Sequence, residues 1–330
     1  MAMAEQFRAM IVEEQPEKTF TRHIGHRTLS DLPEGELLVR VHYSSLNYKD
    51  ALSATGNPGV TRKFPHTPGI DAAGEVVEDA SGTFSPGDQV VVTGWDLGMN
   101  TAGGFGEYIR VPAAWAIALP EGLTLRDSMI LGTAGLTAGL CVQALAEKIA
   151  PDAGEVLVTG ATGGVGSVAV AVLAKAGYRA VAVTGKTDQV DFLHSLGADE
   201  VISREALLEN SNRPLMKERW AGAVDVVGGE ILAAVLKSTR YGGVATCCGL
   251  VGSPELPMNV FPFILRGVSL VGIDSVQCPV ETRLAVWKKL AGDWGVDLEA
   301  LVSEVSLEQL EGSIQSILKG GLRGRVLVKP

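Results

Sequence analysis

The chain has 330 residues, too long for one ordinary hydrophobic core and long enough for two. Its hydrophobic fraction of 46% is globular, and a formal net charge of −10 at pH 7 excludes general binding to nucleic acid or an anionic membrane, because phosphate contacts need clustered cations. The first residues lack the charged start and apolar run of a secretory signal, and no run of about 18 uninterrupted apolar residues suggests a membrane span, so a cytoplasmic protein is expected.

Residues 7–126 alternate short β-rich runs with turn residues, and strands are expected over 37–43, 72–77, 89–93, 106–111 and 115–119. Pro86-Gly87 marks the turn into the third of these and Gly103-Gly104-Phe105-Gly106 the turn into the fourth. The reading is a compact β-rich domain with little helix, residues 1–126. A helix rich in Gly and Ala, over 128–146, then leads into a region of different texture.

There the run Val156-Leu157-Val158-Thr159-Gly160-Ala161-Thr162-Gly163-Gly164-Val165-Gly166-Ser167 takes an apolar strand through a glycine turn into an alanine-rich helix. Glycines let the backbone approach a pyrophosphate without a Cβ in the way, and the unpaired N–H groups opening the helix supply donors. A second strand follows over 180–183, a helix over 188–195, a third strand over 200–202, and apolar runs over 223–227, 244–247 and 268–273. The alternation predicts a doubly wound parallel-sheet (Rossmann) nucleotide-binding domain, residues 127–272, and an α/β protein as a whole. The competing reading is a glycine-rich turn with no ligand.

An NAD enzyme usually places Asp or Glu about 20 residues past the glycine turn, on the ribose hydroxyls. Here that place reads Thr184-Gly185-Lys186. With no carboxylate, a cation at Lys186, a hydroxyl at Thr184 and the fork of Arg204 just past the third strand, the pattern points to NADPH. Otherwise Lys186 and Arg204 are solvated surface charges. Residues 273–330 are expected to carry helices over 279–293 and 307–319 and to end on the strand Arg325-Val326-Leu327-Val328, which returns to the β-rich domain. The cysteines Cys141, Cys247, Cys248 and Cys278 fit neither a disulfide framework nor a zinc site and read as small core residues. The five histidines form no metal-ligand pattern, so no metal is expected.

Four further runs stand in order around the glycine turn: Ser44-Ser45-Leu46-Asn47-Tyr48-Lys49-Asp50-Ala51-Leu52, Pro68-Gly69-Ile70-Asp71, Met129-Ile130-Leu131-Gly132-Thr133-Ala134-Gly135 and Pro262-Phe263-Ile264-Leu265-Arg266. With them the chain resembles the medium-chain dehydrogenase/reductase superfamily over its whole length, and within it the zinc-independent acrylyl-CoA reductase branch, near the quinone oxidoreductases. That superfamily has a chaperonin-10-like catalytic domain, a nucleotide-binding domain and a C-terminal return. Zinc-dependent relatives use a Cys near Asn47 to Asp50 and a Gly-His-Glu where this chain has Gly69-Ile70-Asp71; both ligands are absent.

The resemblance implies NADPH-dependent reduction of an α,β-unsaturated acyl-CoA, with acryloyl-CoA the expected substrate: hydride to the β-carbon, then protonation at the α-carbon. It implies Tyr48 at the nicotinamide end of the cofactor, as hydrogen-bond or proton donor; otherwise Tyr48 is an aromatic filling a wall. Asp50 and Asp71 are expected to support the reacting centre or else to be purely structural, with Asp50 paired to Lys49, and Asn47 to brace the loop. Thr162, Gly163, Gly164 and Val165 would cradle the pyrophosphate, Leu250, Ile264 and Ser275 would line the nicotinamide side, and Arg323 would reach the cofactor or the substrate phosphates. Arg62 and Lys63 either meet the coenzyme A phosphates or are exposed loop cations. The run 268–273 reads as a late sheet strand, which relatives pair across a two-fold axis, so a homodimer is expected. NADPH:quinone reduction, or NADPH binding without turnover, are the alternatives.

Overall fold

A computed structural model describes residues 6–330, which divide into two compact units, 6–133 with 302–330, and 134–301. In the first, β1 (Gln6–Gln15) and β2 (Thr19–Thr28) form an antiparallel two-stranded sheet. Next come β3 (Leu37–Leu46), α1 (Tyr48–Ala54), β4 (Asp71–Asp79), β5 (Gln89–Thr93), β6 (Tyr108–Val111) and β7 (Ala116–Ala118). Strands β3, β4, β5 and β7 are successive antiparallel neighbours, and β6 pairs with β3. Alternate residues Leu37, Val39, Val41, Val76, Val90 and Val92 face one way and, with Ile109 and Val111, make the core.

Helix α2 (Leu125–Ala146) is long and apolar enough to cross a membrane, yet 78% of its apolar window is buried within the protein. It is a core helix. Gly132, at φ +52 and ψ −155, breaks it, and the boundary between the units falls at this break. Sequence had put the boundary at 126, because the apolar run itself continues.

The second unit is a parallel sheet. It contains β8 (Glu155–Val158), α3 (Gly164–Lys175), β9 (Arg179–Thr184), α4 (Val190–Ser195), β10 (Glu200–Ser203), α5 (Arg204–Leu208), β11 (Trp220–Asp225), α6 (Gly229–Ser238), β12 (Thr239–Cys247), α7 (Phe261–Arg266), β13 (Ser269–Gly272) and α8 (Val280–Ala291). The strand order β10-β9-β8-β11-β12-β13 is the doubly wound one, and its direction of winding reverses between β8 and β11. The carboxyl ends of those two strands are where such a fold offers a crevice for a ligand. Residues 273–301, expected to return to the β-rich domain, belong to this unit instead. Val286, Trp287 and Leu290 of α8 are fully buried, and Val286 packs so closely on Gly139 of α2 that a Cβ there would lie 2.5 Å from it.

The true return is shorter: β14 (Val302–Ser306), α9 (Leu310–Leu318) and β15 (Arg325–Lys329). β15 adds antiparallel to β3, with Val326 opposite Leu46 and Val328 opposite Ser44, and β14 closes the edge beside it. This register sets Arg325 beside the end of β3, where α1 begins.

Candidate active site

Candidate functional groups lie in both units. In the second, β8 enters the turn through Thr159 and Gly160, the latter at φ +57. A Cβ on Gly166 would stand 2.3 Å from the Gly160 carbonyl oxygen, so α3 starts this close to the strand only with glycine there. Gly163 is the N-cap and offers no side-chain acceptor, which leaves the N–H groups opening α3 for a ligand. Thr162 is buried, and Gly163, Gly164 and Val165 are half-buried along the same turn.

Beneath the turn lies a pair the sequence reading passed over. Thr159 donates its hydroxyl to Asp225 at 2.7 Å and accepts the Val226 N–H at 3.1 Å, while the Gly228 N–H donates to the other Asp225 oxygen at 2.8 Å. Asp225 is fully buried, and burial pushes its carboxyl above the usual range. The pair ties the ends of β8 and β11 where the winding reverses. An Asp closing an apolar strand, with a Thr closing the neighbouring one, was the available signal.

At the tip of β9, buried Thr184 accepts the Lys186 N–H at 3.0 Å and so shapes the turn. A Cβ on Gly185 would lie 3.1 Å from both Nε and Cζ of Arg204, which places that guanidinium directly over the glycine. Burial pulls the Lys186 ammonium below its ordinary value; Asp188 raises it and Arg204 lowers it further. Two cations that repel one another gain from an anion between them. Leu250 and Ile264 are 65% and 68% exposed. Ser275 is buried and accepts the Thr137 hydroxyl at 2.8 Å, and the loop after it is held by buried Arg283, which donates to the Ser275 and Val276 carbonyls at 3.1 and 3.2 Å.

In the first unit, Tyr48 opens α1 and is 40% exposed, whereas the residues behind it are sealed. Asp50 is fully buried and accepts the Asn47 N–H at 2.7 Å, the Asn47 side-chain amide at 3.3 Å and the Ile70 N–H at 2.8 Å. Burial, and then neighbouring Asp71, push its carboxyl up to about 7 against those bonds. The expected Lys49 partnership is replaced by these contacts: the carboxylate turns into the protein and caps the start of α1.

Asp71 is likewise fully buried and receives four donors: Ser45 Oγ at 2.6 Å, Asn47 Nδ2 at 2.8 Å, and Thr133 through its N–H at 3.0 Å and its hydroxyl at 2.5 Å. Both carboxylates, expected to support the reacting centre, are thus buried and fully engaged by protein donors behind the start of α1. Arg323, by contrast, is exposed, as are Arg62, whose Nε bonds the Pro58 carbonyl, and Lys63. Of the cysteines, Cys141 and Cys278 are buried and Cys247 and Cys248 only half-buried, short of the core positions expected for that pair.

The residue that sequence missed is Arg325. It is 2% exposed and donates Nε to the Ile130 carbonyl at 2.8 Å, Nη2 to Ser45 Oγ at 3.0 Å and Nη1 to Asn47 Oδ1 at 3.4 Å. Burial lowers its pKa, and Asp71 and Asp50 oppose that effect. Gly132 leaves the space for this cluster: a Cβ there would lie 2.5 Å from Asp71 Oδ2 and from Ser45 Oγ.

Residues 33–121 match the alcohol dehydrogenase GroES-like domain and residues 164–292 the zinc-binding dehydrogenase family. The chain belongs to the medium-chain dehydrogenase/reductase superfamily. Its chain is 47% identical over 98% of its length to acrylyl-CoA reductase AcuI of Ruegeria pomeroyi, of which it covers 98%. It is 46% identical over 93% of its length to YhfP of Bacillus subtilis, provisionally named a quinone oxidoreductase, of which it covers 94%. The crystal structure of YhfP with NAD bound superposes with a TM-score of 0.96 at 44% identity, covering 99% of this chain and 100% of that one. The yhdH oxidoreductase of Salmonella enterica, solved in complex with NADP, superposes with a TM-score of 0.95 at 45% identity, covering 98% and 99%.

One of the matching superfamily domains is named for zinc, and the residues of this loop do not fit that ion. Asp71 already accepts four donors, Asp50 three, and the cation among them is a guanidinium. No soft Cys or His donor joins them, and among the described residues no group of three His, Cys, Asp or Glu side chains converges on a metal position.

Proposed function

We propose that this oxidoreductase uses NADPH to reduce the C=C bond of a short α,β-unsaturated acyl-CoA, with acryloyl-CoA, giving propanoyl-CoA, as the preferred substrate. The observation that carries the reading is the chemistry at the start of α1: an exposed phenol, Tyr48, backed by a buried charge network whose donors do not suit a Lewis-acid metal. Such a site suits a substrate already polarised by conjugation. The thioester is further supported by the identity to AcuI.

The nucleotide unit fits the cofactor. The glycine surface at Gly160 and Gly166, the uncapped start of α3 and the cations at Lys186 and Arg204 would hold a pyrophosphate and a 2′-phosphate. Leu250, Ile264 and Ser275 would line the nicotinamide side. Bound there, NADPH supplies the hydride. Tyr48 either donates a hydrogen bond to the thioester oxygen as negative charge builds on it or delivers the α-proton, directly or through water. Asn47 and Asp50 fix the backbone from which that phenol projects. Exposed Leu250 and Ile264 remain available to exclude water.

The test is a steady-state comparison of acryloyl-CoA, crotonoyl-CoA and a quinone, each with NADPH and with NADH. Fastest loss of NADPH absorbance with acryloyl-CoA is expected. Turnover of the quinone alone overturns the substrate in favour of the activity for which YhfP is provisionally named, and tight NADPH binding without any turnover makes the chain a binder. Pairing of two copies through β13 is also part of this reading, because that strand is the edge of its sheet beside exposed Phe261, Ile264 and Leu265. Light scattering should then give twice 34.6 kDa. A cytoplasmic setting suits the four free thiols.

A further inference from the structure

We propose that Arg325 is the fixed internal cation of the catalytic unit, and that by holding Asn47 between Asp50 and Asp71 it positions the first turn of α1 and with it Tyr48. The inference rests on the functional reading for its kinetic consequence, though not for its structural one. Asp71, and Asp50 once it ionises, demand a compensating charge within this sealed cluster, and an arginine retains its proton where a lysine would tend to lose one. The guanidinium supplies that charge with directional bonds. Nη2 donates to Ser45 Oγ, and Ser45 Oγ in turn donates to Asp71 Oδ2 at 2.6 Å, so positive and negative groups are joined through one hydroxyl.

Asn47 is the hinge of the arrangement. Its Oδ1 accepts from Arg325 at 3.4 Å, which turns its Nδ2 toward Asp71 at 2.8 Å and Asp50 at 3.3 Å. The same residue's backbone N–H donates to Asp50 at 2.7 Å. The orientation of this amide is thus set from three sides, and the next residue in the chain is Tyr48. Arg325 itself has little freedom, because Nε is anchored on the Ile130 carbonyl and β15 is locked in register against β3. Arg325 reaches the reaction only through Asn47, so it is a positioning residue.

The experiment compares Arg325→Met, Arg325→Lys and Asn47→Ala with the wild-type chain, reading kcat and KM for NADPH-dependent enoyl-CoA reduction and amide hydrogen exchange across residues 47–50. Asn47→Ala should lower kcat about tenfold with KM for NADPH changed by less than about twofold, since a misplaced catalytic group costs rate rather than cofactor affinity. Its amides at 47–50 should exchange about tenfold faster. Arg325→Met should show the larger kcat loss, and Arg325→Lys should also keep kcat low, because one ammonium cannot span Asn47, Ser45 and Ile130. Wild-type kcat and exchange in Asn47→Ala, or wild-type kcat in a folded Arg325→Met, overturn the proposal. If Arg325→Met does not fold, Asn47→Ala decides. If the wild-type chain reduces no enoyl thioester, the functional reading fails, and exchange in Asn47→Ala decides the positioning role alone.

Discussion

The two groups of candidate residues, one in each unit, are built by opposite means. The nucleotide turn is one contiguous stretch whose shape comes from backbone: a positive φ at Gly160 and a missing Cβ at Gly166. The network behind Tyr48 draws Ser45 from β3, Asn47 from the loop after it, Asp50 from α1, Asp71 from β4, Thr133 from α2 and Arg325 from β15, and most of its links are side chains. The contrast concerns how each half breaks. A backbone cradle fails when an atom is added to it, whereas a charge network fails when a partner is removed and the group left behind stays buried and unpaired.

Gly132 tests where the two kinds meet, and the largest effect is expected there. Its φ of +52 with ψ −155 is glycine territory, and an added Cβ would drive into both Asp71 and Ser45 at 2.5 Å. Gly132→Ala should cost about 4 kcal/mol in a denaturant melt, from backbone strain together with displaced charged hydrogen bonds. A loss under about 1 kcal/mol would mean that the network is soft, and the contrast would dissolve. Gly166→Ala acts on the other half. With a Cβ 2.3 Å from the Gly160 carbonyl, the start of α3 must move, so NADPH binding should weaken about 30-fold, roughly 2 kcal/mol, in a fluorescence titration. Unchanged affinity there would show that the cradle yields as easily as a side chain.

The same contrast explains what the sequence made legible. The glycine turn, the strands of the parallel sheet and the cations after β9 are local patterns, and each could be read from neighbours along the chain. Arg325 could not, because its partners lie 195 to 280 residues away in sequence and an arginine opening a terminal strand reads as a surface charge. The β1–β2 hairpin was missed for a related reason: β2 is only half-buried along its length, so its apolar alternation is faint. Helix α1 is seven residues long, too short for a helical period to show, and its start is fixed by Asp50 rather than by propensity.

The pH dependence of stability separates charge from shape within the network. Asp50 goes from an ordinary value of 3.8 in the unfolded chain to about 7 in the folded one. Between those values the folded state holds a proton that the unfolded state has released, so stability is full below about pH 4, falls as pH rises and levels off above about 7. Allowing for Asp71 and Arg325 in the same cluster, the fall should be about 2 kcal/mol. Asp50→Asn replaces one accepting oxygen by a donor and should be less stable throughout, but its profile should lack this fall. Melting temperatures of the two proteins from pH 4 to 8 are the measurement. Parallel profiles would show that Asp50 is ionised in the folded protein over the whole range.

The smallest effects are expected at Lys186 and Arg204, where partial exposure lets solvent screen the charge. Lys186 is the more buried of the two, and its depressed ammonium should recover when a phosphate lies against it. Lys186→Ala should therefore weaken NADPH binding about tenfold, near 1.4 kcal/mol, and Arg204→Ala about threefold, with NADH affinity unchanged in both. The losses should shrink as salt is raised from about 0.05 to 0.5 M, since only the 2′-phosphate contact is at stake. Equal losses for NADH would move these cations off the 2′-phosphate, leaving the turn after β9 shaped by Thr184 alone, and cofactor choice would then have to be sought elsewhere in the nucleotide unit.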